Sequence, residues 1–154
     1  MIININDLKA IRQKHKNKSI ALISGVFDLF HVGHLWSLKR AARFGDILVV
    51  NVVNDKRVKV LKGEKRPIVT QFQRALLVDS LRCVDYVVIS PKVNSGVSID
   101  VTKKLKPDIF LADNIEKAEK LKLIHPKIKI IPNSETRTVG TSELIKRILR
   151  KYKI

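Results

Sequence analysis

Cysteine is almost missing from this chain: Cys83 is the only one in 154 residues. A single thiol excludes an internal disulfide and a multi-thiolate metal site, and it fits a reducing, cytoplasmic setting. Glycine and proline are also sparse, at 6 and 5 residues, beside 45% hydrophobic and 29% charged residues. That balance describes an ordinary globular protein rather than a fibrous or disordered one. No apolar run approaches the roughly 20 residues that cross a bilayer, so no membrane span is expected. The opening MIININDLKA has no basic stretch followed by an apolar block, and a secretory signal is not expected. Acidic residues are short as well, 14 Asp and Glu against 31 Lys and Arg, a formal charge of +17. A basic field attracts nucleic acid, acidic membranes or phosphorylated small molecules. Aromatics make up only 5% of the chain and do not interleave with the basic residues, as base stacking would require, so nucleic acid is not the expected partner. Lysines scattered along segments such as EKAEKLKL also suit a plain solvated surface. Charge alone does not choose between these.

What is present is an alternation. Buried-looking β-branched runs at Ile20–Ile23, Ile47–Val53, Tyr86–Ile89, Asp108–Leu111 and Ile128–Ile131 predict five strands. Between them stand helix-spaced stretches: DLKAIRQKH with Asn6 as N-cap, GHLWSLKRAARF, VTQFQRALLVDSLR, Ile99–Leu105, IEKAEKLKL and TSELIKRILRKY. Asp55 is expected to cap a helix at a strand end. Strands alternating with helices over short connections predict an α/β fold, a parallel sheet with helices on both faces. No repeat, low-complexity linker or composition break divides residues 1–154, so one domain is expected, with residues 1–18 packing a helix on the sheet edge.

In such sheets ligands sit beyond the carboxyl ends of the strands. The turn after the first predicted strand reads SGVFDLFHVGH. It is neither GxGxxG nor GxxxxGK[ST], so it is neither a dinucleotide fingerprint nor a P-loop. His31 and His34, three apart, share a face at a helix start, beside backbone N–H groups and the positive end of the helix dipole. Gly33 between them lets a ligand approach the backbone. Imidazoles there can donate to phosphate oxygens and take up a proton as charge builds. The same spacing also suits two capping or core histidines, or two metal ligands, although His15, His125 and the carboxylates offer no ligand spacing.

GVFDLFHVGH resembles the signature of the HxGH-type, cytidylyltransferase-like nucleotidyltransferases. The likeness continues. GDILVVNVVNDKRVKVLKGEKRPIVTQFQRALLVDSLRCVDYVVIS is similar to the central block of heptose-1-phosphate adenylyltransferases, in its ND, LKG, RP, helix arginine and VDYVV. GVFDLFH and RTVGTSELIKRILRKY look closer to the choline-phosphate and glycerol-3-phosphate cytidylyltransferases. The resemblance covers nearly the whole chain.

It implies a Rossmann-like five-stranded domain that moves a nucleoside monophosphate from a nucleoside triphosphate to a phosphorylated sugar or alcohol and releases pyrophosphate. It implies Mg²⁺ accompanying the triphosphate, no metal held by the protein alone, and a homodimer. On this likeness His31, His34 and Lys62 are the catalytic residues. Gly25, Val26, Phe27, Gly33, Arg137, Thr138, Gly140, Thr141 and Ser142 contact the nucleotide. Asp28, Arg74 and Asp113 serve the acceptor, with loop orientation the other reading of Asp28 and structural ion pairing that of Arg74. Thr141 and Ser142 also suit the N-cap or the first turn of the last helix.

Two departures stand out. The tail TVGTS is two residues shorter than the family's when Gly140 is aligned with the family glycine. The loop LADNIEK after the fourth predicted strand lacks the glycines of the heptose enzymes. The central block points to ATP and a sugar phosphate; the opening and tail point to CTP with glycerol 3-phosphate, phosphocholine or phosphoethanolamine. A non-catalytic nucleotide-binding module is the third reading.

Overall fold

A computed structural model describes residues 1–91, 98–133 and 140–153. Its strands are β1 (Ile2–Ile3), β2 (Ile20–Gly25), β3 (Ile47–Val53), β4 (Tyr86–Ser90), β5 (Ile109–Ala112) and β6 (Lys129–Pro132). The helices are α1 (Leu8–Lys14), α2 (Val32–Ala41), α3 (Asp55–Lys62), α4 (Gln71–Asp79), α5 (Ile99–Leu105), α6 (Ile115–Glu119) and α7 (Thr141–Tyr152). All strand pairs are parallel, in the order β1-β4-β3-β2-β5-β6. The sheet therefore has six strands, not five. The addition is the two-residue β1, pairing Ile2 with Val87 and Ile3 with Val88 at the edge, too short to leave an alternation in the sequence. Among the described residues, no helix is long and apolar enough to cross a membrane.

Alternation along the strands divides the core into two layers. One face carries Leu22, Val49, Val88 and Phe110, covered by Leu8 of α1, Val101 and Leu105 of α5 and Ala118 of α6. The other carries Ile23, Val50, Val87 and Leu111, covered by Leu38 and Ala41 of α2 and by Ala75 and Val78 of α4. These strands are apolar on both faces, as parallel sheets require. Each fully buried leucine or isoleucine is worth roughly 1.5–3 kcal/mol of transfer free energy.

Two caps differ from the sequence reading. Asn4, not Asn6, opens the first helical segment: its side chain accepts from Asn6 N, and the Asp7 carboxylate accepts from Asn4 N, closing a box around a 3-10 turn at Ile5–Asp7. α3, the helix at a strand end for which Asp55 is the expected cap, is capped by Asn54, whose Oδ1 accepts from Arg57 N at 2.8 Å. Asp55 is its first residue, free to pair with Arg74 at 2.6 Å. α7 has Gly140 at its N-cap and no side-chain cap bond, so of the two readings of Thr141 and Ser142 the first turn is the one the structure matches.

The two ends of the sheet differ chemically. At the amino end, carboxylates take up strand-start N–H groups: Asp85 from Leu48 N at 2.8 Å, Asp108 from Ile20 N at 2.7 Å, and Asp46 from Ser19 N at 2.8 Å. The Ser19 hydroxyl and N–H together hold the Asp46 carboxyl below its ordinary range. At the carboxyl end the charged groups are mainly cations, including Arg57, Lys62, Arg66 and Lys117. Anions are favoured at that edge.

Candidate active site

β2 ends at Gly25 and the chain crosses the carboxyl edge in a tight loop before α2. Within it Phe27 (φ 56) and Leu29 (φ 45) are left-handed without being glycine. Each such residue costs roughly 1–2 kcal/mol, so the surroundings must hold the loop. Asp28 does much of this. It is 1% exposed, and its carboxylate accepts from Arg66 Nε at 2.6 Å, Ile68 N at 3.0 Å and Val69 N at 2.9 Å. Burial pushes its carboxyl upward, but the two backbone N–H groups and the Arg66 guanidinium outweigh that and leave it below the ordinary value. Arg74, fully buried, holds the loop from beneath. Its guanidinium donates to Val69 O, Val26 O and Val53 O and pairs with Asp55. Three carbonyls and a carboxylate occupy its donors, so Arg74 stands as a buried brace rather than in reach of a ligand. Of its two sequence readings, ion pairing is the one the geometry matches.

The loop delivers His31 to the N-cap of α2. Its Nδ1 accepts from Gly33 N at 3.1 Å, and His34 Nδ1 faces His31 N at 3.4 Å. The rings stack with centroids 3.8 Å apart and an interplanar angle of 23°. Phe27 meets the His34 ring edge-on at 5.5 Å. An accepting Nδ1 makes Nε2 the donor of each neutral ring. His31 caps the helix through Nδ1, and its Nε2 is a buried atom at the cavity wall. The Gly33 amide is taken up by His31.

The last helix closes the site. Thr141 Oγ1 donates to the main-chain carbonyl of Asp28 at 2.8 Å, a link across 113 positions that ties the start of α7 to the histidine loop. His31, Gly33, His34, Gly140, Thr141 and Ser142 line one cavity of about 280 Å³, together with Gly25, Val26, Phe27, Lys62, Arg66 and Asp113. Nearly every expected site residue thus meets there. Asp28 and Arg74 stand behind the wall as supports, and Arg137 and Thr138 lie outside the described residues. Arg66, to which the sequence reading assigned no role, is both a lining cation and the partner of Asp28. Nothing in its local sequence marks it beyond the RP pair.

A second cavity of about 300 Å³ opens on the other face of the sheet and shares Ser24, Gly25, Val26 and Asp113 with the first. Asn51, Arg57, Ser90, Ser98 and Lys117 also line it, and none of them was a sequence candidate. The available signal was Asn51 itself, the only polar residue in ILVVNVV. Asp113 is the only carboxylate among the described lining residues of either cavity, and it accepts from Asn133 Nδ2 at 3.0 Å. Among the described residues, no group of three or more His, Cys, Asp or Glu is placed to hold a metal.

Comparison with known proteins agrees with this architecture. A bifunctional protein HldE from Helicobacter pylori (strain G27) is 44% identical over 106 residues, covering 68% of this chain and 22% of the relative. The bifunctional protein HldE of Campylobacter jejuni subsp. doylei is 37% identical over 140 residues, 90% of this chain and 29% of the relative. The chain thus spans less than a third of the length of these curated relatives. Among solved structures, the lipopolysaccharide core biosynthesis protein from Thermoplasma volcanium GSS1 aligns with a TM-score of 0.65 at 27% identity, over 77% of this chain and 98% of that one. Pantoate-beta-alanine ligase from Francisella tularensis shares the fold alone, with a TM-score of 0.61 at 16% identity over 100% of this chain and 78% of that one. The model of the cytidylyltransferase-like family matches residues 22–152, and the chain belongs to that family.

Proposed function

We propose that this chain is a nucleotidyltransferase that transfers a nucleoside monophosphate from a nucleoside triphosphate to a phosphorylated sugar, with ATP as donor and a heptose-1-phosphate-like acceptor. The observation that carries the reading is the single cavity lined by His31, His34, Lys62 and the start of α7, backed by a second cavity meeting it at Gly25 and Asp113. Two substrates need two compartments that touch where the reacting atoms meet.

The triphosphate occupies the histidine cavity. There it faces the imidazoles of His31 and His34, the Lys62 ammonium and the first-turn N–H groups of α7, which has no side-chain cap. The acceptor enters from the second cavity, its phosphate oxygen directed at the α-phosphorus. That oxygen forms the new P–O bond as the bond to the bridging oxygen of pyrophosphate breaks, in line and without a covalent enzyme intermediate. Negative charge grows on the α-phosphoryl oxygens and the leaving group, and fixed donors that need not reorganise stabilise it. Mg²⁺ arrives as part of the nucleotide substrate, and Asp113 is the carboxylate nearest to serving it, since it borders both cavities.

Heptose 1-phosphate and ATP are favoured by the central block NDKRVKVLKGEKRP. The opening GVFDLFH and the terminal RTVGTSELIKRILRKY support the second reading, a CTP-dependent enzyme acting on glycerol 3-phosphate or an aminoalcohol phosphate. A pyrophosphate-release screen crossing ATP and CTP with heptose 1-phosphate, glycerol 3-phosphate, phosphocholine and phosphoethanolamine separates the two. Release with ATP and heptose 1-phosphate is expected. Release only with CTP and an alcohol phosphate selects the second reading, and no release with any pair rejects the activity.

A further inference from the structure

We infer that Asn51, with Ser24 and Ser98, forms a hydroxyl-reading floor in the second cavity and restricts the acceptor to one with a polyhydroxylated carbon skeleton. The inference rests on the proposed nucleotidyl transfer and goes further, because it assigns acceptor selection to residues that no family motif marks.

Asn51 interrupts a strand that is otherwise apolar, and it is 2% exposed. In register it lies directly opposite Ser24 of β2, so both side chains leave the sheet on the same face. Asn51 Nδ2 donates to Ser24 Oγ at 3.0 Å and to Ser98 Oγ at 2.9 Å. Its Oδ1 is buried and has no hydrogen-bond partner among the described residues. An unsatisfied buried carbonyl costs roughly 1–3 kcal/mol, and it persists here in a wall of an open cavity. Ser98 adds an independent sign. It sits at the N-cap of α5, where serine ordinarily bonds the helix backbone, yet it makes no cap bond and takes a left-handed φ of 54. Its hydroxyl goes to Asn51 instead.

The donor and acceptor pattern defines the ligand. Both serine oxygens already accept from Nδ2, so each turns its O–H proton outward as a donor. Beside them Oδ1 offers only lone pairs. A ligand hydroxyl can donate to Oδ1 and accept from a serine at once. A primary ammonium can only donate, and a quaternary ammonium can do neither. A quaternary ammonium is held by aromatic faces, and the one aromatic residue among the described lining residues is Phe110, which is 1% exposed. Arg57 and Lys117 line the same cavity and supply charge for the acceptor's phosphate.

Two readouts test this. In the kinetic arm, Asn51→Leu, close in size but without hydrogen bonding, should raise KM for heptose 1-phosphate or glycerol 3-phosphate about tenfold or more. Both kcat and the nucleotide KM should stay within about twofold. Ser98→Ala, less invasive to the fold, should raise the same KM about threefold. In the binding arm, the Asn51 side-chain amide resonances should shift on titration with heptose 1-phosphate or glycerol 3-phosphate and stay put with phosphocholine. Unchanged acceptor KM in both variants, or an Asn51 amide that ignores both hydroxylated phosphates, overturns the inference. Turnover with unaltered acceptor KM in both variants removes the floor and leaves the transferase reading intact. Amide shifts without pyrophosphate release from any pair do the reverse.

Discussion

Replacing Asp28 by asparagine should be among the most damaging single-atom changes in this chain. The side chain is completely buried, and its partner Arg66 is 13% exposed. The carboxylate receives one guanidinium and two backbone N–H groups, and through them it ties the left-handed loop to the segment before α4. Asparagine keeps the shape but removes the charge and turns an NH₂ group toward those donors. Breaking a buried pair on one side costs about 3–5 kcal/mol, against a total stability of about 5–15 kcal/mol for a typical domain. At roughly 2–4 °C per kcal/mol for a chain of this size, the midpoint should fall by about 10 °C. The pH dependence adds a sharper check. The folded carboxyl lies below its unfolded value of 3.8, so its contribution is complete above that pH and vanishes as pH falls through the lower folded value. Urea unfolding of wild type and Asp28→Asn at pH 7 and at descending acid pH should show a gap that narrows in acid. A gap under about 0.5 kcal/mol at pH 7, within the range of ordinary surface substitutions, or one that widens in acid, refutes the assignment of Asp28 as the loop's anchor.

Two further outcomes follow from the walls of the histidine cavity. A Cβ at Gly25 would stand 2.6 Å from Phe27 Cζ, and that ring abuts His34. Gly25→Ala should therefore cost about 1–3 kcal/mol by overpacking and should lower turnover, read by pyrophosphate release; full activity would show that the Phe27–His34 contact does not position the imidazole. Lys62 is exposed at the end of α3 and lines the cavity, so Lys62→Ala should leave the melting temperature unchanged while weakening nucleotide use by about tenfold or more, the scale of one charge-assisted contact. Unaltered kinetics would return Lys62 to the ordinary surface.

The sequence reveals the fold where physics repeats itself and hides it where a single contact decides. β2 through β5 are legible because strands buried on both faces must be apolar throughout. β1 is two residues long and borrows its order from β4, so no local pattern announces it. α3 reads DKRVKVLK, with only Val58 buried, too polar a stretch to look amphipathic. In the site, the histidines are legible because one short loop carries them. Asn51, Ser24 and Ser98 come from three separate elements, and only the register of β2 on β3 and the turn before α5 bring them together. Arg74 shows the opposite limit. A cation inside an apolar helix reads equally as ligand or brace until its three carbonyl partners are seen.

Steady-state pyrophosphate release by His34→Ala tests the central claim most directly. His34 lines the cavity and supplies the longer arm of the α2 capping box, accepting from His31 N at 3.4 Å, so its removal probes chemistry while the His31 cap still holds the helix. The account predicts that kcat falls by at least about a hundredfold, as loss of a transition-state donor should, with the circular dichroism spectrum and melting temperature of wild type. Turnover within about twofold of wild type in a folded His34→Ala protein would contradict it.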